Sequence, residues 1–356
     1  MSGTKQPGYI LIVTLMMTGL TLTMATYMFI KGQLHMSYMR SMASREKAQS
    51  LALSGIAVAQ SQLTQFVEKK EDQNKKPSEQ ERIKQFLKRV LPALNRWQEF
   101  TLTEKADGIQ GVIQVCIMCE NGKIDINQLY DFKKHAFKGA GQPKGDMKKV
   151  SQFICEQLQK NSGVSDIFPA LEAFLKKRSY PLDDTTELLT IPAFSFLKDV
   201  VFYQPPAAKK EQTMQKKRPL YLTDIFTTWS EQQTVQPWLL SDSLCGLLEL
   251  KRAASADVEQ RKSQVETWVK AAKKNAEWSS TLNKQFQQLY GKDFTSLPKS
   301  IHSIFNPSFE PAVFSVLVQA TVNGIAQRAY AIISLVRQTR DNVVSSTGKI
   351  KRIYWL

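Results

Sequence analysis

The sequence predicts an α+β protein in which a long N-terminal helix precedes an antiparallel sheet, and a large helical block interrupts the sheet. The first observation is that residues 9–68 contain no proline and read as one helix. The second is that residues 111–127 and 314–336 alternate apolar positions around an Asn-Gly pair. The third is that residues 128–311 show helical spacing and almost no strand-like alternation.

The helix begins with a charge-free run long enough to cross a membrane. The 22 residues 9–30 contain no charged side chain, and at 1.5 Å per residue they extend about 33 Å, against a hydrocarbon layer of ~30 Å. Lys31, Gly32 and Gln33 follow, where a secretory signal would have a small-residue cleavage site. We therefore expect this segment to be retained as a span. The threonines within it can hydrogen-bond back to the helix backbone, at positions 14, 18, 21, 23 and 26.

The second half of the helix, residues 31–68, is amphipathic. Small and apolar residues recur at steps of three and four and form one stripe, which we expect to pack against partner helices: Ala48, Leu51, Ala52, Gly55, Val58, Ala59, Leu63 and Phe66. The two halves together predict a helix of roughly 60 residues, or about 90 Å. The polar segment 68–84, with Pro77 as a helix breaker, is predicted to be a solvated linker.

Strands flank the helical block on both sides. Strand signals begin at residues 100–102, and Asn121-Gly122 predicts a type I′ turn that returns the chain through Ile124 and Ile126. Asn323-Gly324 predicts a second hairpin, and a last strand is expected over 349–356. Within the block, six helical pieces are predicted at 148–160, 165–178, 190–202, 221–229, 242–274 and 280–290. Ser241 and Asp242 are predicted N-cap residues for the fifth.

The N-terminus resembles that of type IV pilins and pseudopilins. A short basic leader, MSGTKQPG, ends at Gly8, and an aromatic residue, Tyr9, opens the apolar run. The resemblance implies cleavage by a prepilin peptidase between Gly8 and Tyr9 and methylation of the new Tyr9 amine. An uncleaved signal anchor is the alternative interpretation of so short a motif.

Within that family the sequence is most similar to the K-type minor pseudopilins of type II secretion systems. Most pilins and pseudopilins have glutamate at the fifth mature position, whereas Val13 stands there in this sequence, and lack of that glutamate is the pattern of the K-type subunit. Residues 122–127 resemble the family's Gly-Lys-Ile-Asn-Leu-Asn stretch, and residues 218–222 resemble another family segment. The family's Ile-Asn-Thr-Ala-like turn does not occur near residues 238–243.

The resemblance implies a pilin-like head and a tip subunit of a secretion filament. It gives the division 1–8 leader, 9–30 transmembrane helix, 31–68 helix extension, 69–127 first part of the head, 128–311 inserted helical domain and 312–356 C-terminal β part. Expected partners are other minor pseudopilins, the major pseudopilin, the peptidase and inner-membrane lipid. The head is expected in the periplasm. A minor pilin of a type IV pilus or DNA-uptake filament is the alternative.

No catalytic motif is found in the sequence, so we expect a structural rather than enzymatic role and no cofactor. His35, His135 and His302 lie far apart, and neither a nucleophile elbow nor a phosphate-binding loop occurs. The four cysteines are interpreted as buried thiols, with a disulfide among them or metal and redox work as the alternatives: Cys116, Cys119, Cys155 and Cys245. The acidic loop at Asp183, Asp184 and Glu187 is a candidate calcium site, although a cap and a turn explain the same residues.

The chain is strongly basic, with 48 Lys and Arg against 32 Asp and Glu. Such an excess is compatible with nucleic acid or anionic lipid, and it leaves a membrane-anchored basic binding module as another hypothesis. The lysine runs lack the interleaved aromatic residues of single-strand binding proteins, so no nucleic acid is expected. Lys31, Arg40, Arg45 and Lys47 make the far side of the span at least as basic as the leader, so counting charges does not fix its orientation.

Overall fold

The computed structural model describes residues 8–64, 89–141, 145–205, 219–251, 263, 278–305, 311–340 and 343–356. Several sequence predictions lie outside these residues. They are the leader before Gly8, the linker at 68–84, Phe66 of the stripe, Arg218, and most of the predicted helix at 242–274.

The long N-terminal helix is confirmed as a single element, α1, which runs from Gly8 to Leu63 without interruption. Its second half lies across one face of a sheet. The predicted stripe is buried there at Ala48, Ala52, Gly55, Ala59 and Leu63, and Leu51 is half-buried. Val58 instead faces outward, and Ile56, which was not part of the predicted stripe, is buried.

Five strands of the described chain form the main sheet, in the order β1-β2-β7-β8-β9, with every neighbouring pair antiparallel. They are β1 (Trp97–Leu102), β2 (Gly111–Cys119), β7 (Val313–Val322), β8 (Ile325–Arg340) and β9 (Val343–Trp355). The central pairing, β2 with β7, joins strands that are almost 200 residues apart in sequence. The α+β class predicted from sequence is therefore confirmed.

The first predicted hairpin is wrong. Strand β2 ends in a 3-10 turn, Glu120–Gly122, and the chain does not fold back onto β2. The next strand, β3 (Ile124–Asp125), pairs in parallel with β6 (Phe226–Thr227) instead. The hairpin that does form joins β1 to β2 through a short helix, α2 (Glu104–Asp107).

Long-range contacts displace the predicted turn at Asn121-Gly122. The Asn121 side chain accepts hydrogen bonds from the backbone N–H of Ala312 and Val313 at 2.8 and 2.9 Å, and donates to the Ser230 carbonyl at 2.9 Å. A Cβ on Gly122 would overlap the carbonyl group of Leu239. This Asn-Gly pair is therefore a packing point between the sheet and the residues of the helical block.

The second predicted hairpin is confirmed. Asn323 and Gly324 have φ angles of 50° and 78°, and they connect β7 to β8 with Val322 paired to Ile325. Positive φ at both central residues is the requirement of a type I′ turn, and Asn-Gly meets it at low steric cost. The last strand, β9, is longer than the predicted 349–356 segment and has a register shift opposite Ile332 and Ile333.

Between β2 and β7 the chain is mostly helical. The described helices are α3 (Ile126–Leu129), α4 (Met147–Ser162), α5 (Ile167–Lys176), α6 (Leu222–Ile225), α7 (Asp242–Leu247), α8 (Trp278–Tyr290) and α9 (Lys299–His302). The helices predicted at 148–160, 165–178 and 280–290 are thus present as α4, α5 and α8. Ser241 caps α7 by accepting from the Leu244 N–H at 3.2 Å.

The block is not purely α-helical, contrary to the prediction. The segment predicted as a helix at 190–202 contains a 3-10 helix instead, Pro192–Leu197, which follows another, Thr185–Thr190. Pro192 lacks the backbone N–H that would continue the first of them. Two-residue strands also occur, namely β6 and the pair β4 (Tyr130–Asp131) and β5 (Ala136–Phe137). The 69–127 and 128–311 domain boundaries remain predictions, although the change from sheet to helices occurs near them.

Candidate membrane anchor and head junction

The first half of α1 exposes an unbroken apolar surface. Large apolar side chains from Tyr9 to Met42 are exposed, most of them by more than half of their surface. The helix is long and apolar enough to cross a membrane by length and composition, with a mean hydropathy of 1.7 over its best window. In water this surface is costly, since each exposed large apolar side chain forfeits about 1.5–3 kcal/mol of burial.

The threonines in the span satisfy their own hydroxyl groups, as predicted. Thr14, Thr18 and Thr21 donate to the carbonyls four residues earlier at 2.9–3.0 Å. Thr23 bonds to Leu20 and Thr26 bonds to Leu22, each at 2.8 Å. These bonds remove the main polar obstacle to placing the segment in lipid, where no water can serve as a partner.

Residues of the predicted processing site lie at the start of this helix. Gly8 is the first residue of α1, and Tyr9 is three-quarters exposed beside it. Val13 lies one turn further on and is 38% exposed. The nearest acidic residue that follows in the chain is Glu46. No carboxylate of α1 is therefore placed to meet an ammonium group at the depth of Val13.

The buried residues of the amphipathic stripe pack against the chain's own sheet, and packing of partner helices on α1 stays a prediction. Gly55 is the point of closest approach. A Cβ at this position would lie 2.7 Å from Val318 Cγ1 and 3.0 Å from Ile113 Cγ2. Near the C-terminal end of α1, the Gln60 side chain joins the helix to β9 by donating to the Gly348 carbonyl at 2.6 Å. Small residues at this face are required because helix and sheet backbones approach closely.

A buried ion pair lies where the sheet meets the helical block. Glu120 and Lys123, in the turn after β2, are each about 1% exposed and form a salt bridge. Glu120 also accepts a hydrogen bond from the Thr227 hydroxyl, and Lys123 donates to the Ser315 hydroxyl at 3.2 Å. Tyr330 on β8 contacts the same carboxylate at 3.4 Å. The pair therefore joins β2, β6, β7 and β8.

Two more carboxylates are buried beside this pair. Asp125 accepts from the N–H groups of Asn127 and Gln128 and from the backbone and hydroxyl of Ser230. Burial nevertheless raises the pKa of Asp125 to about 6. Asp224, which accepts from the Ser243 N–H at 2.7 Å, also has a raised pKa because it is completely desolvated. Sequence analysis missed this cluster, although charges directly after an apolar strand were a visible signal in residues 120–125.

Two core residues of the helical block enter the core of the sheet. Trp238 and Leu239 are 1% exposed and belong to the same apolar cluster as the α1 stripe and the α1-facing side of β2 and β7. With the ionic cluster, this shared core fixes the block to the sheet. The head junction, defined here as Glu120, Lys123, Asp125, Asp224 and their hydrogen-bond partners, is therefore continuous with the main core.

All four cysteines are buried, and the structure holds them as thiols rather than disulfides. Cys116 and Cys119 lie three residues apart on β2, so they point to opposite faces of the sheet, and they belong to different apolar clusters. Burial raises the pKa of Cys119 and of Cys155 to about 12, and raises that of Cys116 as well. Thiols held in this state are poor nucleophiles and poor metal ligands.

The acidic loop proposed for calcium has a capping arrangement. Asp184 accepts from the Thr186 N–H at 2.8 Å, and Glu187 closes a capping box by accepting from the Asp183 and Asp184 N–H groups. The second oxygen of Glu187 pairs with Arg178 at 2.7 Å. Within the described residues, no group of three His, Cys, Asp or Glu side chains is arranged to hold a metal ion. Calcium binding here stays a prediction.

The three histidines are separated in the structure. His35 lies on the exposed part of α1, His135 lies in a loop with positive φ, and His302 stacks on Phe294. A surface cavity of about 560 Å³ is lined by Asp131, Lys134, Lys138 and neighbouring residues, without a histidine or cysteine in its described lining.

No protein-family model and no curated protein matches the sequence. Among solved structures, the chain is similar to a chain of the crystal structure of the GspK-GspI-GspJ complex from the type 2 secretion system of enterotoxigenic Escherichia coli. The sequences are 14% identical, the alignment covers 91% of this chain and 99% of that one, and the TM-score is 0.38. At that TM-score the likeness carries no argument for the function of this chain.

Proposed function

We propose that this protein is a non-enzymatic, membrane-anchored subunit at the tip of a type II secretion pseudopilus. The observation that carries the proposal is α1 itself, whose exposed apolar half continues without a break into a half buried against the head's sheet. A rigid helix of this kind fixes a folded head at a set distance from a membrane. The head would lie in the periplasm, with the span in the inner membrane.

The exposed half of α1 needs either lipid or other helices around it. The 22 charge-free residues match a hydrocarbon layer of ~30 Å in length. In a filament, the same surface would pack against the α1 helices of other minor pseudopilins and of the major pseudopilin. One segment would thus serve for membrane storage before assembly and for subunit contact afterwards.

Val13 supports the tip position. In the pilin family, which the N-terminus resembles, glutamate at this depth offsets the N-terminal ammonium of a neighbouring subunit. A charge left unpaired in an apolar environment costs several kcal/mol. This chain offers only Val13 there. Its own Tyr9 amine can still meet a glutamate of the subunit below, so the chain accepts neighbours on one side only.

The size of the head supports the same position. In the sequence, the helical block lies between β2 and β7. These two strands pair with each other in the sheet, and α1 packs across both of them. It therefore projects from the end of the sheet where the Asn121 side chain accepts a hydrogen bond from the Ala312 N–H. A projection of this size is hard to stack in a regular helical array and is tolerated at its end.

The proposal is tested by the intact mass of the protein from cells that contain a prepilin peptidase. We expect loss of residues 1–8 and one added methyl group on Tyr9. The matched control is Gly8→Arg, which should keep residues 1–8, since a side chain at this position blocks close approach of the peptidase to the backbone. Wild-type protein that retains Met1, or Gly8→Arg protein of mature size, would remove the chain from this class.

A further inference from the structure

We propose that Lys31, His35 and Arg40 form an interfacial collar that binds anionic phospholipid headgroups of the membrane that α1 crosses. This inference rests on the membrane anchor of the proposed function and adds the lipid class that surrounds it. Nothing in the processing site, the stripe or the head junction requires these three side chains.

The collar lies at the depth of the headgroups. Lys31 directly follows the charge-free span that ends at Ile30, and His35 follows one turn later, about 6 Å further along the axis. Headgroups extend roughly 5–8 Å beyond each side of the hydrocarbon core. Arg40 lies about 14 Å beyond Lys31, within reach of this zone only through its long side chain.

The direction of the side chains brings Arg40 closer to the lipid. In an α-helix every Cα–Cβ bond tilts toward the helix N-terminus. The N-terminal half of α1 is the half that enters the membrane, so Lys31 and Arg40 lean back toward the bilayer rather than away from it. Lys31 illustrates this direction, since its Nζ lies 5.8 Å from the ring centroid of Tyr27, one turn earlier.

The charge environment favours an anionic lipid over an internal partner. Residues 1–45 contain no Asp or Glu at all. Among the described residues, no carboxylate is within ion-pair distance of the collar, whereas Lys148, Lys176 and Arg178 in the head each have one. Unpaired cations next to a span attract acidic headgroups, and the attraction fades within a Debye length.

The apolar residues around the collar fit the same interfacial position. Leu34, Met36 and Met39 are at least half exposed, and they alternate with the collar residues along the helix. Such a mixture of cations and apolar groups suits the boundary between acyl chains and headgroups. Tyr27 lies one turn before the collar and Tyr38 lies within it, and both are exposed, as aromatic residues are at membrane surfaces.

The experiment uses the full chain in vesicles of phosphatidylcholine with phosphatidylglycerol as the minor lipid. Tyr27→Trp supplies a fluorescent reporter one turn before Lys31. The fluorescence of the native tryptophans is measured on the unsubstituted chain and subtracted. Either lipid is brominated on its acyl chain in turn, so that quenching reports the lipid next to the reporter. We expect phosphatidylglycerol to be enriched there by about two- to fourfold over its bulk fraction.

The variant Lys31→Gln/His35→Gln/Arg40→Gln should bring the local fraction back to the bulk fraction. The matched control is Lys349→Gln/Lys351→Gln/Arg352→Gln, which removes three exposed basic side chains from β9 and should leave the enrichment unchanged. Equal quenching by the two brominated lipids in the parent chain would overturn the inference, as would enrichment that survives in the collar variant. Absence of quenching by either lipid would instead contradict the membrane anchor of the proposed function.

Discussion

At the scale of single residues, the stability of the head depends on charged side chains that are buried away from water. Lys123 is the cation that offsets the buried carboxylates Glu120 and Asp224. Its ammonium forms a salt bridge with Glu120 and donates to the Ser315 hydroxyl, and its charge opposes the rise in the pKa of Asp224. A buried pair adds little net stability compared with an apolar replacement of both members. Removing one member alone is costly, because the other is left charged and unpaired.

Replacing Lys123 with Met should therefore lower the free energy of unfolding by about 3–5 kcal/mol. Thermal and urea denaturation of the full chain in detergent, followed by near-ultraviolet circular dichroism, measures this. Adding Glu120→Gln to Lys123→Met should recover part of the loss. The control Lys105→Met, on the exposed helix α2, should change little. A Lys123→Met protein as stable as the control would show that the ion pair is unimportant for the junction.

Asp125 makes the stability of the head depend on pH. Its pKa is raised from 3.8 to about 6, so the folded state holds a proton more tightly than the unfolded state does. The stabilisation from this proton is complete below about pH 4 and is lost as the pH rises through 6. The shift corresponds to at most about 3 kcal/mol.

Replacing Asp125 with Asn should reduce the loss of stability that occurs as the pH rises. Asn keeps an oxygen for the N–H groups of Asn127 and Gln128 but does not ionise. Melting temperatures between pH 4.5 and 7.5 should therefore fall less with rising pH in the variant than in the parent, while Glu99→Gln on exposed β1 should follow the parent. Parallel curves for Asp125→Asn and the parent would mean that Asp125 does not titrate in this range.

At the scale of elements, the two halves of α1 lie in different environments. The exposed half from Tyr9 to Met42 has no partner in the described head, while the half from Ala48 to Leu63 belongs to the head's core. Truncation near Glu68 would therefore remove core residues along with the membrane span. A start near Ser41 keeps the buried stripe.

Gly55 allows the close packing of these elements. Gly55→Leu should destabilise the head by about 1–3 kcal/mol or more, because the new side chain must displace Val318 and Ile113 in a well-packed core. The neighbouring residue, Ser54, is exposed, so Ser54→Leu is the matched control and should be nearly neutral. Denaturation of both proteins in detergent compares them. Equal stabilities would place the helix further from the sheet than described.

The two Asn-Gly pairs show how far sequence can predict these elements. Asn323-Gly324 forms its turn because strands β7 and β8 are neighbours in sequence, so the local pattern contains all the information. Asn121-Gly122 has the same local signal, but its partners Ser230, Leu239 and Ala312 lie more than 100 residues away. The spacing of apolar residues along the sequence carries no information about contacts between residues so far apart. The buried charges of the head junction were missed for the same reason, since polar residues near a predicted turn resemble a solvated loop.

The apolar helix and its Thr residues were predicted correctly because they depend on residues three or four positions apart. The face that α1 presents to the sheet was predicted except at Val58, which is exposed, and Ile56, which is buried. Only tertiary structure could assign this face to the chain's own strands. The 3-10 helix Pro192–Leu197 was predicted as α-helix because Phe194 and Leu197 are three residues apart, a spacing that suits either kind of helix.

At the scale of the whole molecule, the proposed tip position depends on the missing carboxylate at Val13. Val13→Glu should add the acidic group that an incoming subunit needs, and should increase crosslinks between the region of residue 13 and the α1 helices of other subunits. Val13→Gln is the control, because it is polar but cannot supply a charge. Identical crosslinking in the two variants would mean that the missing carboxylate does not set the position.

The most direct measurement is the location of the head along released pseudopili, by immunogold electron microscopy with antibodies to the helical block. If the protein occupies the tip, we expect gold particles at one end of each filament and none along the shaft. An antibody to the major pseudopilin should label the whole length of the same filaments. Regular labelling of the shaft by the antibody to this head would contradict the tip assignment.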